Sequence, residues 1–518
     1  MPLLTFNNMK FSKLITKYTI FLLMILGVSI GIRFYFFPSD VPLTADALYY
    51  FWYSLDIYQI GKLPTEWTPT NNGWPMFVSV FFNIIDVKDI FALMQIQRLL
   101  SVIISVLIII PVYFICKKFV ARKFAIIGAA LIAFDPRLII NSFLGATDPF
   151  YLLLTTTSLS LFFSVNKKLV YFSFVLISFA TIIRGEGLAF FLVLSVMFLI
   201  RYRKEKYKIF LKYLIVIGIF MIIILPVSLY RIEVIGNDGI FMRSLNSGDN
   251  LVSSLTTSNN SRNYIINGLE IFIKYLIWVL IPNFIIFIPL GLALIFRNRN
   301  FEKNTIILSL GIMSIPALYA YTVTALDTRY LYVLFPMFSV LAVLTIERII
   351  GKLHKSNIII IIIISAILVS SIIFYDYQKI NYKHEKESFE IMKNIYNMIE
   401  VTNGLYQESS YFNTIQTIKQ WPNTHTEMGL GIKFDVITLP TDNFNSLEDY
   451  IIESKDKGLT HIMVDNKKER QDFLVDVFNN ESNYSYLKKI YDSKDDGYVY
   501  HVKVFKIDYE KFNLRNSN

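Results

Sequence analysis

Long apolar segments recur from residue 16 to residue 375 of this 518-residue chain, and they constrain its fold more than any other feature. Hydrophobic residues make up 54% of the sequence and charged residues 17%, which is more apolar than the cores of a soluble chain require. A helix crosses a bilayer with about 17 to 25 apolar residues. This criterion predicts a polytopic α-helical membrane protein of about eleven spans, near residues 16–37, 95–115, 124–143, 148–165, 169–183, 187–200, 209–230, 265–295, 304–324, 328–347 and 357–375.

The distribution of lysine and arginine predicts the orientation of these spans. Basic clusters at residues 10–17, 117–123 and 201–212 fall on one side of the predicted membrane, and the loops on the other side carry fewer basic residues. Because cytoplasmic loops are enriched in lysine and arginine, the N-terminus is expected in the cytoplasm. The apolar run at 18–37 is too long for a cleaved signal, so it is expected to remain as the first span.

An odd number of spans puts the C-terminal part of the chain outside, and the sequence predicts two domains. Residues 1–375 form the membrane domain, with outward loops at 38–94 and 232–264. Residues 376–518 form a soluble extracytoplasmic domain. There the sequence predicts helices in KHEKESFEIMKNIYNMI, SLEDYIIESKDKG and KKERQDFLVDVF, short strands in DVITLP and THIMVD, and a closing strand pair from YLKKIYDS to YVYHVKVFKID. This alternation of helix and strand favours an α/β domain.

Composition excludes several classes of function. Cys116 is the only cysteine, so the chain has no intrachain disulfide and no cysteine-based zinc or iron–sulfur site. The net charge of +10 is scattered between apolar runs, and no basic stripe for nucleic acid is present. The five histidines are dispersed without metal-ligand spacing.

Ionisable residues in or beside spans are costly to keep in a bilayer, so they are candidates for function. In this chain they gather at the predicted outer side. They are Asp46, Asp56 and Glu66 in the first loop, Asp135, Arg137 and Asp148 between the third and fourth spans, Arg184 and Glu186 between the fifth and sixth, and Asp327, Arg329 and Tyr330 at the tenth. A channel or transporter would place polar groups through the depth of the membrane. Chemistry on one side instead favours an enzyme at the outer interface.

Four segments follow one another along the membrane domain, namely TADALYY, FDPRLIINSFLGATDPFYLLL, IIRGEGLAFFL and LDTRYLYVLFPMFSVLA. In this order they resemble the GT-C superfamily of glycosyltransferases, which includes protein O-mannosyltransferases and lipid A aminoarabinose transferases. The resemblance covers the membrane domain and implies a polyprenyl-phosphate sugar donor. The chain has Ala47 where protein mannosyltransferases continue an Asp-Glu pair, and it lacks the Trp-Trp-Asp-Tyr-Gly signature of oligosaccharyltransferases.

The resemblance implies roles for individual residues. Asp46 is the expected general base for the acceptor hydroxyl. Arg184 and Arg329 are expected to bind the lipid phosphate, since guanidinium groups bind phosphate oxygens in pairs; Glu186 and Tyr330 are expected beside them. Asp148 would position the acceptor or join Asp46 in holding a divalent cation such as Mg²⁺, Mn²⁺ or Ca²⁺, although the sequence establishes no metal.

Each candidate also has a structural interpretation. Asp46 suits the N-terminus of the helix ALYYFWYSLDI, and Asp148 stands before Pro149 in a typical helix start. Arg184 with Glu186 suits a structural pair, and Arg329 with Tyr330 suits an interfacial anchor. At the level of the whole protein, a lipid or polysaccharide transporter is the alternative to an acceptor-glycosylating enzyme. The acceptor itself, whether lipid, glycan or protein, is not indicated by the sequence.

Overall fold

The computed structural model describes residues 17–65, 67–85, 87, 89–242, 261–323, 325–351, 353, 356–378, 380–398, 444–456, 459–467 and 471–516. Glu66, most of the loop predicted at 232–264 and the strand predicted in DVITLP lie outside these residues.

The part of the chain before residue 380 is almost entirely helical. Its α-helices are α1 (Lys17–Tyr35), α2 (Ala45–Ile60), α3 (Gly73–Ile85), α4 (Ile90–Leu107), α5 (Ile109–Cys116), α6 (Arg122–Ala133), α7 (Pro136–Ser142), α8 (Asp148–Phe162), α9 (Lys167–Ile183), α10 (Gly187–Tyr202), α11 (Lys208–Ile235), α12 (Ser261–Leu280), α13 (Ile288–Phe296), α14 (Phe301–Thr322), α15 (Phe335–Ile350) and α16 (Ser356–Tyr377). Short 3-10 helices follow α10 at Arg203–Glu205 and precede α15 at Thr328–Leu334. The two helices inside the first predicted loop, α2 and α3, confirm that this loop is not a simple connector.

Six helical stretches in the described residues are long and apolar enough to cross a membrane, or seven if a bent pair counts as one span. The chain is therefore an integral membrane protein. The predicted number of eleven includes α8, α9 and α10, which have 15, 17 and 16 residues. At about 1.5 Å per residue, such helices are shorter than a hydrocarbon core of about 30 Å.

One predicted span is not continuous in the structure, and another is bent. The apolar segment 265–295 is not one helix, because α12 ends at Leu280 and α13 begins at Ile288 after a series of turns. Pro282 and Pro289 lie at the two sides of this break, where each lacks the N–H that a continuous helix requires. The span predicted at 124–143 consists of α6 and α7, which meet at an angle of 50°.

Polar side chains satisfy the backbone at the bend between α6 and α7. Asp135 accepts hydrogen bonds from the N–H groups of Arg137 and Leu138 at 3.0 and 3.1 Å and so caps α7. Arg33, fully buried in α1, donates to the carbonyl of Ala133 at 2.9 Å and to Ser105 Oγ at 2.9 Å. These contacts supply partners for groups that the broken helix leaves without intrahelical bonds.

The chain divides into two compact units. One contains residues 1–38, 64–87 and 96–379, and the other contains residues 39–63, 88–95 and 380–518. In the second unit Lys386 pairs with Asp40, and the rings of Phe91 and Phe389 lie 5.4 Å apart. Helix α2, which carries Asp46, therefore belongs to the same unit as the C-terminal segment.

The C-terminal segment combines helices with a small sheet. Its helices are α17 (Lys383–Met398), α18 (Leu447–Lys455), α19 (Asp472–Asn479) and α20 (Tyr509–Asn516), and its strands are β1 (His461–Asp465), β2 (Leu487–Asp492) and β3 (Val502–Ile507). The strand order is β1-β3-β2 with antiparallel pairing, in which Met463 faces Val504 and Leu487 faces Ile507. The predicted closing strand pair is confirmed, and Gly497 adopts a φ of 82° in the turn between its strands. Helices α18 and α19 and the sheet share one apolar core.

Candidate functional site

Asp148 stands at the first position of α8 and is directly followed by Pro149. Proline suits this position because the first N–H groups of a helix have no intrahelical partner. Thr147 precedes the helix without a side-chain capping bond, and the Asp148 carboxylate instead pairs with two arginines from other parts of the chain. Its side chain is only 7% exposed. The expectation that Asp148 merely begins a helix therefore accounts for its backbone position and not for its partners.

Arg184 lies between α9 and α10, in extended backbone. Its guanidinium donates to the Asp148 carboxylate and, through Nη2, to Glu186 Oε1 at 2.9 Å. Its side chain is 13% exposed. Burial by itself lowers the pKa of Arg184, but the carboxylates of Glu186 and Asp148 outweigh it and raise the pKa above its ordinary value. Arg184 is therefore a permanent cation at this position.

Glycines shape the connection that carries Arg184 and Glu186. A Cβ added at Gly187 would lie 2.7 Å from the backbone N and Cα of Thr181, which is closer than atoms can approach. Only glycine lets α10 begin so near to the last turns of α9. Gly185, on the other side of Glu186, has nothing within 4 Å of an added Cβ. The tight packing is thus confined to one side of the connection.

Arg329 lies in the 3-10 helix before α15 and is oriented by Asp327. The Asp327 carboxylate accepts the backbone N–H of Arg329 at 2.8 Å and its Nε at 2.6 Å. Nη1 of Arg329 lies 3.7 Å from Asp148 Oδ2. Asp148 thus lies between the guanidinium groups of Arg184 and Arg329, which come from distant parts of the sequence.

These residues line one cleft within the first unit. Its polar lining is Asp148, Tyr151, Arg184, Glu186, Arg329, Tyr330 and Tyr332, and its apolar lining is Leu152, Met313, Pro316 and Val333. The Arg184 guanidinium carbon lies 5.9 Å from the Tyr151 ring centre and 5.8 Å from that of Tyr330. Five of the six site residues predicted from the sequence, all but Asp46, therefore meet in this cleft.

The charges of the cleft are almost balanced. Three carboxylates, from Asp148, Glu186 and Asp327, face the guanidinium groups of Arg184 and Arg329. Because both arginines are held by carboxylates, an anionic ligand must share or replace one of these contacts. Asp148 contacts both cations, so it is the carboxylate that such a ligand most directly replaces.

Tyr151 is a cleft residue that the sequence reasoning missed. Its side chain is 5% exposed, and its hydroxyl is buried without a hydrogen-bond partner among the described residues. A buried polar group without a partner is costly and marks a place where a ligand can bind. The signal in the sequence was its position three residues after Asp148, which puts both side chains on one face of α8.

Asp46 lies in the second unit, in the first turn of α2, and is exposed. The N-cap of this helix is Thr44, so Asp46 does not occupy the capping position itself. Ala45, directly before it, adopts a φ of 48°. This left-handed conformation costs an L-residue about 1 kcal/mol or more and often occurs at functional positions.

Other ionisable residues of the predicted outer side have structural roles or lie elsewhere. Arg137 donates to the carbonyls of Trp278 and Ile281 and stacks on the Trp278 ring at 5.2 Å. Asp135 caps α7, and Asp56 is buried within α2. None of these three residues lines the cleft that holds Arg184.

The cleft offers little for a metal ion. Among the described residues, no three His, Cys, Asp or Glu side chains form a group that could hold one. The carboxylates of the cleft already pair with guanidinium groups, and a divalent cation would have to compete with these fixed charges. The residues of this cleft therefore do not suit a divalent metal ion.

No protein-family model matches this chain, and no curated protein matches its sequence. Solved structures match its fold. The oligosaccharyltransferase of Archaeoglobus fulgidus in the apo form has a TM-score of 0.60 at 12% identity, over 91% of this chain and 73% of that one. Its complex with Zn and sulfate has a TM-score of 0.58 at 13% identity, over 90% and 71% of the two chains.

ArnT from Cupriavidus metallidurans, bound to undecaprenyl phosphate, has a TM-score of 0.57 at 9% identity, over 94% of this chain and 97% of that one. Both neighbours share the fold of this chain. The resemblance drawn from the sequence motifs is thereby confirmed, at the level of the fold. The chain is an integral membrane protein with the GT-C fold.

Proposed function

We propose that this protein is a membrane glycosyltransferase that moves a sugar from a polyprenyl-phosphate donor to a hydroxyl group of a lipid, glycan or protein, with inversion. The observation that carries the proposal is the convergence of Arg184 and Arg329 on one cleft of a GT-C fold. Undecaprenyl phosphate, bound in the structure of ArnT, is a ligand of the class that two guanidinium groups recognise. The reaction takes place on the outer face of a cell membrane.

The position of the charged groups supports an enzyme more than a transporter. Asp148 is the first residue of α8, Arg184 follows the last residue of α9, and Arg329 precedes α15. All three therefore stand at helix ends, which the topology predicted from the sequence puts at the outer face. A transport path would need polar groups near the middle of the membrane.

Arg184 and Arg329 bind the phosphate of the donor in this proposal. The phosphate oxygens take over contacts that the Asp148 carboxylate makes in the free protein. Exchanging one anion for another keeps both guanidinium groups paired, so neither cation is left buried alone. As the bond from the sugar to phosphate breaks, the same cations stabilise the charge that develops on the leaving polyprenyl phosphate.

Asp46 acts as the general base. It accepts the proton of the acceptor hydroxyl while the acceptor oxygen forms its bond to the anomeric carbon, and the bond from that carbon to the phosphate oxygen breaks. A carboxylate near the anomeric carbon also stabilises the oxocarbenium character of the transition state. The exposure of Asp46 suits contact with an incoming acceptor.

The proposal includes the topology derived from the sequence. About eleven spans in residues 1–375, a cytoplasmic N-terminus and an extracytoplasmic domain at 376–518 put the loops 38–94 and 232–264 on the side of the donor. The basic clusters at 117–123 and 201–212 support this orientation.

The test is turnover of polyprenyl-phosphate sugars by the purified protein. Asp46→Asn should lower kcat by about 10²-fold or more, because it removes a general base. The matched control is Asp40→Asn, which neutralises an exposed aspartate of the same loop that pairs with Lys386 at the surface. Full turnover by the Asp46 variant would remove Asp46 from the mechanism.

Donor binding gives a separate test of the cleft. Arg184→Gln and Arg329→Gln should each weaken binding of undecaprenyl phosphate, measured by native mass spectrometry. Asp148→Asn should leave binding equal or tighter, because it removes the anion that competes with the phosphate. Weaker binding in the Asp148 variant would instead mean that this carboxylate acts with the ligand, as an acceptor or metal carboxylate.

A further inference from the structure

A second cleft, of about 450 Å³, lies where α13 ends, α14 begins and α15 ends. It is open to solvent and shares no residue with the cleft that holds Arg184. Its lining includes three cations, Arg297, Lys303 and Arg348, with one carboxylate, Glu347. The lining therefore carries a net positive charge and suits an anionic ligand.

The single carboxylate of this cleft has another function. Glu347 Oε1 accepts the backbone N–H of Ala121 at 2.9 Å and so joins α15 to the start of α6. None of the three cations forms an ion pair with Glu347 or with any other carboxylate of the described residues. The positive charge of the cleft is therefore not neutralised by these parts of the protein.

The cations are positioned differently. Lys303 Nζ donates to the carbonyls of Leu294 and Arg297 at 3.2 and 2.7 Å, which fixes its ammonium group at the end of α13. Arg297 and Arg348 are exposed, one at the end of α13 and the other in the last turn of α15. One fixed cation with two adjustable guanidinium groups can surround a phosphate and donate several hydrogen bonds to it.

Apolar side chains next to these cations favour a lipid over a free anion as the ligand of this cleft. Leu294 and Leu344 line the cleft itself. Phe296 and Ile349 stand on the same helix ends and are 47% and 57% exposed. A free phosphate ion gains nothing from contact with apolar side chains, whereas a lipid headgroup is joined to acyl chains that cover them. Basic pockets between membrane helices bind anionic headgroups in this way.

We propose that this cleft binds the phosphate headgroup of an anionic phospholipid. The proposal is independent of the glycosyltransferase activity, because no residue of the Arg184 cleft takes part. Lysine and arginine at helix ends also arise from membrane orientation alone, so the experiment must separate a built site from general positive charge.

The experiment is native mass spectrometry of the purified full chain with phosphatidylglycerol and phosphatidylcholine of the same acyl chains. The wild-type protein should retain phosphatidylglycerol preferentially. Arg297→Gln combined with Lys303→Gln and Arg348→Gln should lower its retention by about tenfold or more. The matched control removes three exposed cations outside the cleft, with Arg203→Gln, Lys204→Gln and Lys208→Gln, and should retain phosphatidylglycerol like the wild type.

Further outcomes tell a lipid headgroup from free phosphate as the ligand and control for misfolding of the variant. Equal retention by the cleft variant and the wild type overturns the proposal, and so does an equal loss in the control. Inorganic phosphate should not displace the lipid; displacement would make the cleft a site for free anions. If the triple variant fails to fold, Arg348→Glu alone, at an exposed position, should lower retention by about tenfold, and no change would overturn the proposal.

Discussion

The Arg184 guanidinium donates to the Asp148 carboxylate across a separation of 36 residues, and this pair joins the end of α9 to the start of α8. The two side chains are 13% and 7% exposed. At such burial each charge depends strongly on the other, since removing Arg184 leaves Asp148 with only the more distant Arg329, and removing Asp148 leaves Arg184 with only Glu186. The pair therefore has a structural role in addition to its proposed role in binding the donor.

This mutual dependence predicts a specific pattern of stability. Arg184→Gln should lower the free energy of unfolding by about 3 kcal/mol, because Asp148 and Glu186 then lose their shared cation. Adding Asp148→Asn should restore part of the loss. A double-mutant cycle on thermal unfolding in one detergent measures the coupling. Additive effects of the two substitutions would contradict the pairing.

The Tyr151 hydroxyl provides a second prediction. Because it is buried without a partner among the described residues, Tyr151→Phe should leave the stability unchanged or raise it slightly. If the hydroxyl donates to the phosphate of the donor, the same substitution should raise the Kd for undecaprenyl phosphate by about tenfold. Native mass spectrometry measures that change.

The control for Tyr151 is a tyrosine of the same cleft whose hydroxyl already has a partner. The Tyr332 hydroxyl lies 3.0 Å from Thr328 Oγ1. Tyr332→Phe should therefore cost about 1 kcal/mol of stability and leave the Kd for undecaprenyl phosphate unchanged. An unchanged Kd in both variants would exclude the Tyr151 hydroxyl from the binding of the donor.

The sequence predicted the residues of the cleft better than the boundaries of the helices. Arg184, Glu186, Arg329 and Asp148 were predicted at one side because charges beside apolar spans are costly, and this physical cost does not depend on the details of packing. The break between α12 and α13 was missed because hydropathy records only that residues 265–295 are apolar. A turn of apolar residues has the same hydropathy as a helix, and only Pro282 and Pro289 indicated it.

Partners were also beyond the reach of sequence reasoning. Asp327 could be identified as an ionisable neighbour of Arg329, but not as the group that holds both its backbone and its side chain. Likewise, Arg137 was a candidate for chemistry until its carbonyl partners in Trp278 and Ile281 were visible. The Arg137 contacts join residues more than one hundred positions apart, which no local pattern encodes.

The two glycines beside Glu186 should differ in their tolerance of substitution by alanine. Gly187→Ala should lower the free energy of unfolding by about 1 to 3 kcal/mol, because its methyl group would overlap the backbone of Thr181. The resulting shift of α10 should also displace Glu186 and lower turnover. Gly185→Ala, where an added Cβ meets nothing within 4 Å, should change neither quantity. Thermal unfolding and turnover of the two variants, measured side by side, check this prediction, and equal effects would contradict it.

The backbone before Asp46 supports a final prediction. Ala45 adopts a φ of 48°, which glycine tolerates and a β-branched residue does not. Ala45→Val should therefore lower the free energy of unfolding by about 1 to 2 kcal/mol, whereas Ala45→Gly should leave it nearly unchanged.

The two variants separate strain from function, because glycine relieves the strain and also lets the first turn of α2 move. If the constrained backbone holds Asp46 in position for the acceptor proton, Ala45→Gly should lower kcat several-fold while thermal stability and the Kd for undecaprenyl phosphate stay constant. Turnover equal to that of the wild type would mean that Asp46 needs no such constraint. A rise in Kd that accompanies the fall in kcat would instead assign the effect to donor binding and not to the position of Asp46.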